Sequence, residues 1–351
     1  DVRTWGETTT TTSKNQNFIL NEAWANYQFS DKFALKLGRQ ILSYDNERLI
    51  GALDWAMQGR SFDALKGIYK FNPNSKLEAV VTYNNDDNDL NDLPEKEIYS
   101  IAEAGEITKS LQIIHYDYSG KNKFQFSAIA MNQVLQNPSG AHYDLLTVGI
   151  NSKKYLENIG FFGSAYYQTG KNTLAQSKNA YQFSANVDFL IHSKFNVILG
   201  TEWLSGRNFD TDSGENKSFS PMYGTNHLHN GFMDYFYFGN SHFNSFGLND
   251  YYLKSNLKFS PNSILQANLH AFTSNGKLGF DTSGEKIPSY LGTELDLVFT
   301  HKIGKSITAN LGHSFMFSGK SMEYLKNVPE PKNLQTWSWI AFRIAPNFRI
   351  K

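Results

Sequence analysis

Apolar and polar residues alternate along most of this chain, in runs of about ten residues separated by polar connections. In the stretch 33–71, Leu35 and Leu37 flank Lys36 in a first run, and the same alternation returns after residue 60. A period of two places alternate side chains on opposite faces of a β-strand. The stretch therefore predicts a strand, a long polar loop and a second strand.

The same unit repeats to the end of the sequence. Pairs of runs are joined by short polar connections, such as residues 30–32 and 72–74, as in β-hairpins. A tilted membrane-crossing strand needs about ten residues, which is the length of these runs. The pattern predicts about sixteen strands, at residues 1–8, 18–29, 33–43, 60–71, 76–84, 111–119, 123–134, 142–153, 158–168, 180–191, 195–205, 250–259, 263–274, 289–301, 306–318 and Leu334–Ile344.

Short connections alternate strictly with long ones, which span residues 44–59, 85–110, 135–141, 169–179, 206–249, 275–288 and 319–333. Outer-membrane barrels have short periplasmic turns and long extracellular loops. We therefore predict an all-β fold, a single transmembrane antiparallel up-and-down β-barrel domain over residues 1–351, with both chain ends on the periplasmic side. A barrel of roughly 16–18 strands leaves an aqueous channel, so a pore is expected.

Composition narrows the classes of function. The formal net charge is +0, whereas a nucleic-acid-binding protein shows a basic excess or a basic stripe. The absence of cysteine excludes disulfides, thiol catalysis and thiolate metal sites. No run approaches the roughly 20 apolar residues of a transmembrane helix, so a membrane protein of this sequence would cross with strands. The chain starts at Asp1 without a signal peptide, which predicts a processed or truncated product.

The sequence contains no convincing catalytic pattern. We find no nucleophile elbow, no Ser–His pair and no paired carboxylates at a defined spacing. His227, His229 and Asp234 could chelate a transition metal, but their spacing is unspecific. We therefore predict no enzyme activity, no cofactor and no metal site.

The phase of the alternation sorts residues between the two faces of the wall. Tyr181 and Phe183 belong to the lipid-facing set, and Gln182 between them faces inward. The same reasoning places several acidic residues inward, namely Glu202, Asp188, Glu294 and Asp296.

The loop of the first unit and the strand ends beside it carry charges of both signs: Arg39, Asp45, Glu47, Arg48, Asp54, Arg60 and Asp63. The cluster is too dense for a tight turn and too polar for the core of a soluble protein, so we interpret it as pore lining and pore mouth. Arginine at mid-depth on a lipid-facing surface costs roughly 2–4 kcal/mol, so Arg39 is not expected to face lipid. Arg39 has the same position in the alternation as Leu35 and Leu37. Three explanations stay open: Arg39 follows a β-bulge, it lies near the rim of the barrel, or the assignment of faces shifts by one residue there. A salt-bridge network that stiffens the wall and the loop explains the arginines as well as ligand contact does.

The stretch 18–65 carries a family resemblance. Its sequence, FILNEAWANYQF followed by FALKLGRQILSYDNERLIGALDWAMQGRSFDAL, resembles the alginate export family of outer-membrane porins, in the form common among Bacteroidetes-like Gram-negative bacteria. The resemblance implies a barrel of about 18 strands, with a further hairpin before the first visible strands, and an electropositive constriction that passes a polyuronate. The motif residues that carry it are Glu22, Trp24, Gly38, Arg39, Gln40, Asp45, Glu47, Arg48, Asp54, Trp55, Gln58, Gly59, Arg60, Ser61 and Asp63.

We therefore predict a passive channel in the outer membrane of a Gram-negative bacterium, in which anionic oligosaccharides or similar polar solutes pass a constriction of mixed charge. The predicted pore-lining residues are Glu22, Lys36, Arg39, Asp45, Glu47, Arg48, Asp54, Arg60, Asp63 and Lys66. Two alternatives stay open: a general diffusion porin, and a structural or accessory barrel whose lumen the loop 206–249 closes. The expected partners are outer-membrane lipid, the solute and periplasmic or outer-membrane proteins, and not nucleic acid.

Overall fold

A computed structural model describes residues 2–4, 18–54, 59–84, 107–121, 123–137, 139–236, 245–327 and 332–346, and the structural statements below concern these. Helix is scarce in this part of the chain, with one short α-helix, α1 (Ser321–Lys326), and a turn of 3-10 helix at Asn226–Leu228. No helix among the described residues is both long and apolar enough to cross a bilayer.

Strands make up the rest of the regular structure. Several are long enough to cross a bilayer at a tilt, with 15 residues in β9 and 16 in β11. The strands are β1 (Val2–Thr4), β2 (Phe18–Leu20), β3 (Ala23–Gln28), β4 (Phe33–Gln40), β5 (Phe62–Asn72), β6 (Ser75–Tyr83), β7 (Ile107–Ser119), β8 (Phe124–Gln136), β9 (His142–Leu156), β10 (Ile159–Lys171), β11 (Ser177–His192), β12 (Phe195–Leu204), β13 (Glu215–Asn216), β14 (Leu248–Ser260), β15 (Ser263–Thr273), β16 (Tyr290–Ile303), β17 (Ile307–Ser318) and β18 (Leu334–Ile344).

One sheet of 16 strands holds all of these except β1 and β2, which form a separate two-stranded sheet. From β3 to β18 each strand is antiparallel to the next, except that the two-residue β13 lies parallel to β11 and β12 pairs directly with β14. The fold is therefore the predicted all-β, antiparallel, up-and-down arrangement of a transmembrane barrel.

The predicted strands from residue 33 onward all overlap observed strands, with ends that differ by a few residues. The prediction of one strand over 18–29 is wrong, because the ladder breaks at Asn21 and Glu22 and divides it into β2 and β3. Of the strand predicted at 1–8, the described residues 2–4 form β1, which pairs with β2 outside the main sheet, and the other residues lie outside the described part of the chain.

Side-chain exposure agrees with the two faces that the alternation predicts. Tyr181 and Phe183 on β11 are exposed, whereas Gln182 between them is 1% exposed. On β16, Glu294 and Asp296 belong to the inward set and are fully buried. At these positions the wall is apolar outside and polar inside, as a barrel in lipid requires.

Two long loops fold against the inner surface of the wall. Residues 41–61 join β4 to β5 and residues 205–247 join β12 to β14, and we call their described parts the plug. Ile50 of one loop and Tyr223 of the other form a parallel β-bridge. Both residues belong to a buried apolar core that also includes Met131 of the wall. The core of the molecule therefore lies between plug and wall, on the side of the long loops.

Candidate functional site

Arg48 joins both loops of the plug to the barrel wall. Its Nε donates to Oε1 of Glu202 on β12 over 2.8 Å, and its Nη2 pairs with the second carboxylate oxygen. Nη2 also donates to Asn230 over 2.7 Å and Nη1 to Asn226 over 3.2 Å, both in the loop 205–247. Arg48 is 2% exposed and Glu202 is 5% exposed. A buried bidentate pair of this kind fixes the geometry of both partners, so Arg48 is committed to holding the plug.

Hydrogen bonds also run directly between the two loops. The amide of Gly51 donates to the carbonyl of Tyr223 over 2.9 Å. Arg60 donates from its side chain to the carbonyls of Tyr223 and Gly224. A Cβ atom at Gly224 would lie 2.3 Å from the carbonyl oxygen of Arg48, so the loops approach too closely there for a side chain. The two loops are therefore cross-linked along their line of contact.

His229 lies at the same contact between the loops. Its imidazole is hydrogen-bonded to the backbone of Asn46 in the loop 41–61. Burial, together with the positive charge of Arg48, lowers the pKa of His229 to about 3. The histidine is therefore neutral over the ordinary pH range and adds no positive charge of its own beside the guanidinium.

The loop 41–61 is attached to the wall at several strands. The Tyr44 hydroxyl donates to Glu78 on β6 over 3.0 Å. Burial and the Glu78 carboxylate raise the pKa of Tyr44, which keeps the hydroxyl protonated as the donor. The Tyr166 hydroxyl on β10 donates to Oδ1 of Asn46 over 3.2 Å. These contacts fix the part of the plug that reaches furthest toward the short turns.

Asp45 accepts two further hydrogen bonds from the wall. Nε2 of His115 on β7 lies 2.9 Å from its Oδ1, and the Ser127 hydroxyl on β8 donates to the same oxygen over 2.5 Å. The His115 ring also stacks on Tyr44, with centroids 4.5 Å apart. A serine nucleophile needs a hydrogen bond to its histidine base, whereas Ser127 bonds to the carboxylate. The three residues therefore form an anchor for the plug and lack the geometry of a catalytic triad.

A cavity of about 730 Å³ lies beneath this anchor, on the side of the short turns. Its charged lining residues are Lys66, Lys76, Lys153, Asp45, Glu78 and Asp117. Lys66 and Lys76 both pair with Glu78, at 3.4 and 2.8 Å. The cavity is thus a polar chamber of mixed charge between the plug and the short turns.

Lys153 differs from the other two lysines of the cavity. No described carboxylate pairs with its ammonium, which lies 5.1 Å from the ring centroids of both Tyr155 and Phe162. The amide side chains of Asn151 and Asn186 line the same cavity. A cation placed beside aromatic rings and amides is available to a ligand.

Arg39 and Asp63, two of the predicted pore-lining residues, lie elsewhere. They are register partners on β4 and β5, and the guanidinium meets the carboxylate at 3.0 and 2.6 Å. Arg39 points to the same side of β4 as Leu37, and Asp63 to the same side of β5 as Leu65. The two leucines are 61% and 41% exposed. The pair therefore lies on the outer face of the wall near the long loops, apart from the cavity.

The other predicted pore-lining residues are divided among several places. Arg48, Arg60 and Glu47 belong to the plug, Asp45 and Lys66 line the cavity, and Asp54 is exposed in the loop 41–61. Between β2 and β4, Glu22 accepts a 3.0 Å hydrogen bond from the Trp24 indole, and the Lys36 ammonium lies 3.8 Å from the centre of the same ring. The structure therefore does not bring the predicted set together in one ring.

Four charged residues of the cavity are absent from the predicted set. Lys76, Glu78, Asp117 and Lys153 occupy inward positions of strands that the sequence does predict. Their places in the alternation of apolar and polar residues could have identified these four side chains as inward-facing. The prediction concentrated on residues 39–63 because charges are dense there, whereas the strands carry theirs a few at a time.

The histidines of the loop 205–247 do not meet at one metal site. His227 Nδ1 lies 2.7 Å from Asp234, while His229 is enclosed at the contact between the loops. In the part of the chain that the structure describes, no three His, Cys, Asp or Glu side chains are grouped to hold a metal ion.

The fold is similar to that of porins from Pseudomonas aeruginosa. The match to OccK10 (OpdN) covers 92% of this chain and 83% of that one, with a TM-score of 0.59 and 10% identity. The match to OccK5 (OpdH) covers 93% and 81%, with a TM-score of 0.59 and 10% identity. OpdK, solved with vanillate, matches over 91% and 77%, with a TM-score of 0.56 and 12% identity. At these identities the likeness concerns the fold alone.

A search of curated proteins finds no match to the sequence. A family model described as alginate export matches residues 1–328, which include every strand of the main sheet except β18. Together with the porin fold, this match places the protein in the outer membrane of a Gram-negative bacterium, surrounded by lipid. The chain belongs to the alginate export family, as an outer-membrane β-barrel with a porin fold.

Proposed function

We propose that this protein is a passive channel for anionic oligosaccharides or similar polar solutes, with the lysine-lined cavity as part of the passage. The observation that carries the proposal is Lys153, a cation in the wall of a chamber of about 730 Å³ without a described carboxylate partner. A carboxylate of a passing sugar can pair with this ammonium, while the Asn151 and Asn186 amides bond to its hydroxyl groups. The family description also concerns the export of a polyanionic saccharide.

A solute can pass only if its contacts with the channel wall are weak and follow one another along the passage. Lys66 and Lys76 share Glu78, so each is partly neutralised and binds an anion less strongly than an unpaired lysine. Lys36 is the register partner of Lys66 and adds a further inward cation. A carboxylate can therefore move from one lysine to the next without being trapped at any of them.

The proposed lining differs from the one that the family resemblance implies. Arg48 and Arg60 are bound to other groups of the protein, and Arg39 pairs with Asp63 on the outer face. Lysines therefore supply the available cations. A lysine is a flexible point charge without the bidentate fork of arginine, so we propose a modest preference for anions, in keeping with the net charge of +0.

Single-channel recording of the refolded protein in a planar bilayer tests this proposal. Reversal potentials in a salt gradient give the ion preference, and added oligouronate gives a blocking concentration. Lys153→Gln removes the cavity cation at similar length, so anion preference should fall and the blocking concentration should rise several-fold. Lys154→Gln is the matched control, because Lys154 has the outward phase of the same strand and lies 5.9 Å from the Phe124 ring.

The control should match the wild type in both measurements. Equal values in wild type and Lys153→Gln would count against a role of this lysine in passage. An open, unselective current that oligouronate does not block would indicate a general diffusion porin.

The plug favours a second candidate function. Its apolar core packs against the wall on the long-loop side, and Arg48 fixes it to Glu202. This packing supports a barrel that is closed at rest, either as a gated channel or as an accessory barrel of an envelope complex. A wild-type protein without conductance, opened by loosening the plug, would indicate the gated channel, and a barrel that stays closed would indicate the accessory role.

A further inference from the structure

Glu294 and Asp296 form a buried acidic pair that the proposed passage does not use. They lie two positions apart on the inward face of β16, and both are 0% exposed. Their carboxyl groups are within hydrogen-bonding distance of each other. No ion pair with a lysine, arginine or histidine involves either of them in the described part of the chain. Two buried carboxyl groups in contact are strongly unfavourable when both are ionised, unless a positive partner lies beside them.

The surrounding donors satisfy only part of this pair. The amide of Met233 donates to Oε1 of Glu294 over 2.8 Å, and the amide of Phe232 donates to Oδ2 of Asp296 over 3.3 Å. The Ser314 hydroxyl donates to Oδ1 of Asp296 over 2.5 Å. Oε2 of Glu294 is buried and has no hydrogen-bond partner. One carboxylate oxygen is therefore left without a donor.

A second unpartnered oxygen lies beside the pair. Asn268 on β15 is the register partner of Asp296 and belongs to the same inward face. It is 2% exposed, and its Oδ1 has no hydrogen-bond partner. Directly opposite residues on antiparallel strands have Cβ atoms about 4.5–5.5 Å apart, so the amide group lies beside the Asp296 carboxyl group. An amide oxygen next to a carboxylate is repelled unless a cation or a proton lies between them.

Lys254 is a candidate for that cation, because it is the register partner of Asn268 on β14. Its ammonium instead lies over the Tyr252 ring, 4.6 Å from the centroid, and makes no ion pair with a described carboxylate. Its positive charge still attracts Asp296 from a distance, so one lysine that makes no direct ion pair faces the two carboxyl groups of the cluster.

We propose that Glu294, Asp296 and Asn268 bind one Ca²⁺ ion, which holds the loop 205–247 against the wall. Carboxylate and amide oxygens are ligands that Ca²⁺ prefers, and water can complete its flexible coordination. Gly231 brings the loop over the site: its φ is +86°, and a Cβ atom there would lie 2.5 Å from Oε1 of Glu294. The site therefore couples a bound cation to the position of the plug.

Calcium titration of the refolded protein, freed of metal with a chelator, tests this site, and Tb³⁺ luminescence serves as a second probe. The wild type should bind one equivalent of Ca²⁺ and should unfold at a higher temperature with Ca²⁺ than with chelator. Glu294→Gln removes one charge and keeps an acceptor for the Met233 amide. It should lower the affinity at least about tenfold, and Asn268→Ala, which leaves both carboxylates in place, should do the same.

Asp188→Asn is the matched control. Asp188 is an inward-facing carboxylate on β11 that accepts a 2.9 Å hydrogen bond from Asn196 and lies outside the cluster, so this variant should bind Ca²⁺ as the wild type does. A wild type that binds no Ca²⁺ would overturn the proposal and would indicate that the pair shares a proton. An affinity unchanged in both Glu294→Gln and Asn268→Ala would place the ion elsewhere and overturn it as well. The titration does not depend on conductance, so its outcome is separate from that of the proposed channel function.

Discussion

The two ends of the barrel interior use their charged residues differently. On the long-loop side, Arg48 is 2% exposed and is bound to Glu202 and to two asparagine side chains. On the short-turn side, Lys153 faces a cavity of about 730 Å³ and contacts aromatic rings. The first arrangement holds two loops in place, and the second leaves a cation accessible. A dense run of charges in the sequence therefore identifies the plug better than it identifies the passage.

The same contrast holds for apolar residues. Ile50 and Tyr223 bring the two loops together in a core that excludes water, and burial of such side chains is the main favourable term in packing the plug. The cavity has a largely polar wall, with Asn151 and Ser164 among its lining residues. A polar wall remains hydrated and exchanges water for solute groups at little cost. Variants of the two regions should therefore affect different measurements.

The largest effect should follow from removing Arg48. Arg48→Met leaves the Glu202 carboxylate buried without its cation, and breaking a buried pair in this way costs about 3–5 kcal/mol. We expect the plug to detach, with a lower free energy of unfolding in urea and a higher single-channel conductance. The double variant Arg48→Met/Glu202→Met should recover much of the stability, because it leaves no unpaired charge.

The exposed pair on the outer face provides the control for this effect. Arg39→Met breaks the pair with Asp63, whose side chains are 28% and 54% exposed, and such pairs contribute about 0–1 kcal/mol. The single-channel conductance of Arg39→Met should equal that of the wild type. A loss of stability as large as that of Arg48→Met would contradict the assignment of the two pairs to different environments.

The wall of this barrel could be predicted because its physical constraints are local. Lipid on one side and polar groups on the other impose a period of two on each strand, and Gln182 between Tyr181 and Phe183 follows it. The family could also be predicted, from the motif between residues 18 and 65, and the model match over residues 1–328 confirms it.

A loop that closes the lumen is one of the predicted alternatives, but the contacts of the plug could not be predicted, because they join distant parts of the chain. Arg48 and Glu202 are 154 positions apart, and no local pattern indicates that they meet. The predicted set of pore-lining residues therefore combined groups from the plug, the cavity and the outer face. Only Asp45 and Lys66 of that set line the cavity.

A smaller, pH-dependent effect should arise at His229. The unfolded chain takes up a proton at this histidine near pH 6.5, whereas the folded plug does so only near pH 3. Between these values the unfolded state binds more protons, so the stability of the plug is full above about pH 6.5 and falls as the pH drops toward 3. Protease cleavage of the loop 205–247 should therefore become faster over this range.

His229→Gln provides the control for this prediction. Its amide can still donate to the backbone of Asn46, but it does not titrate. The variant should show a weaker pH dependence of cleavage between pH 3 and pH 6.5. An identical pH profile in the variant and the wild type would assign the effect to other groups.

The smallest effect should come from the anchor between plug and cavity. Tyr44→Phe removes the hydrogen bond to Glu78, which keeps Lys66 and Lys76 as partners, and it retains the ring stacked on His115. The loss of a hydrogen bond to a charged group costs about 1.5–3 kcal/mol, measurable by urea unfolding. Tyr167→Phe is the matched control, because that hydroxyl donates to Asn179 in an exposed position, and it should change stability by less than about 0.5 kcal/mol. Equal values for the two variants would indicate that the Tyr44 hydroxyl does not anchor the plug, and the contrast between a fixed plug and an accessible cavity would then rest on the contacts of Arg48 and Asp45.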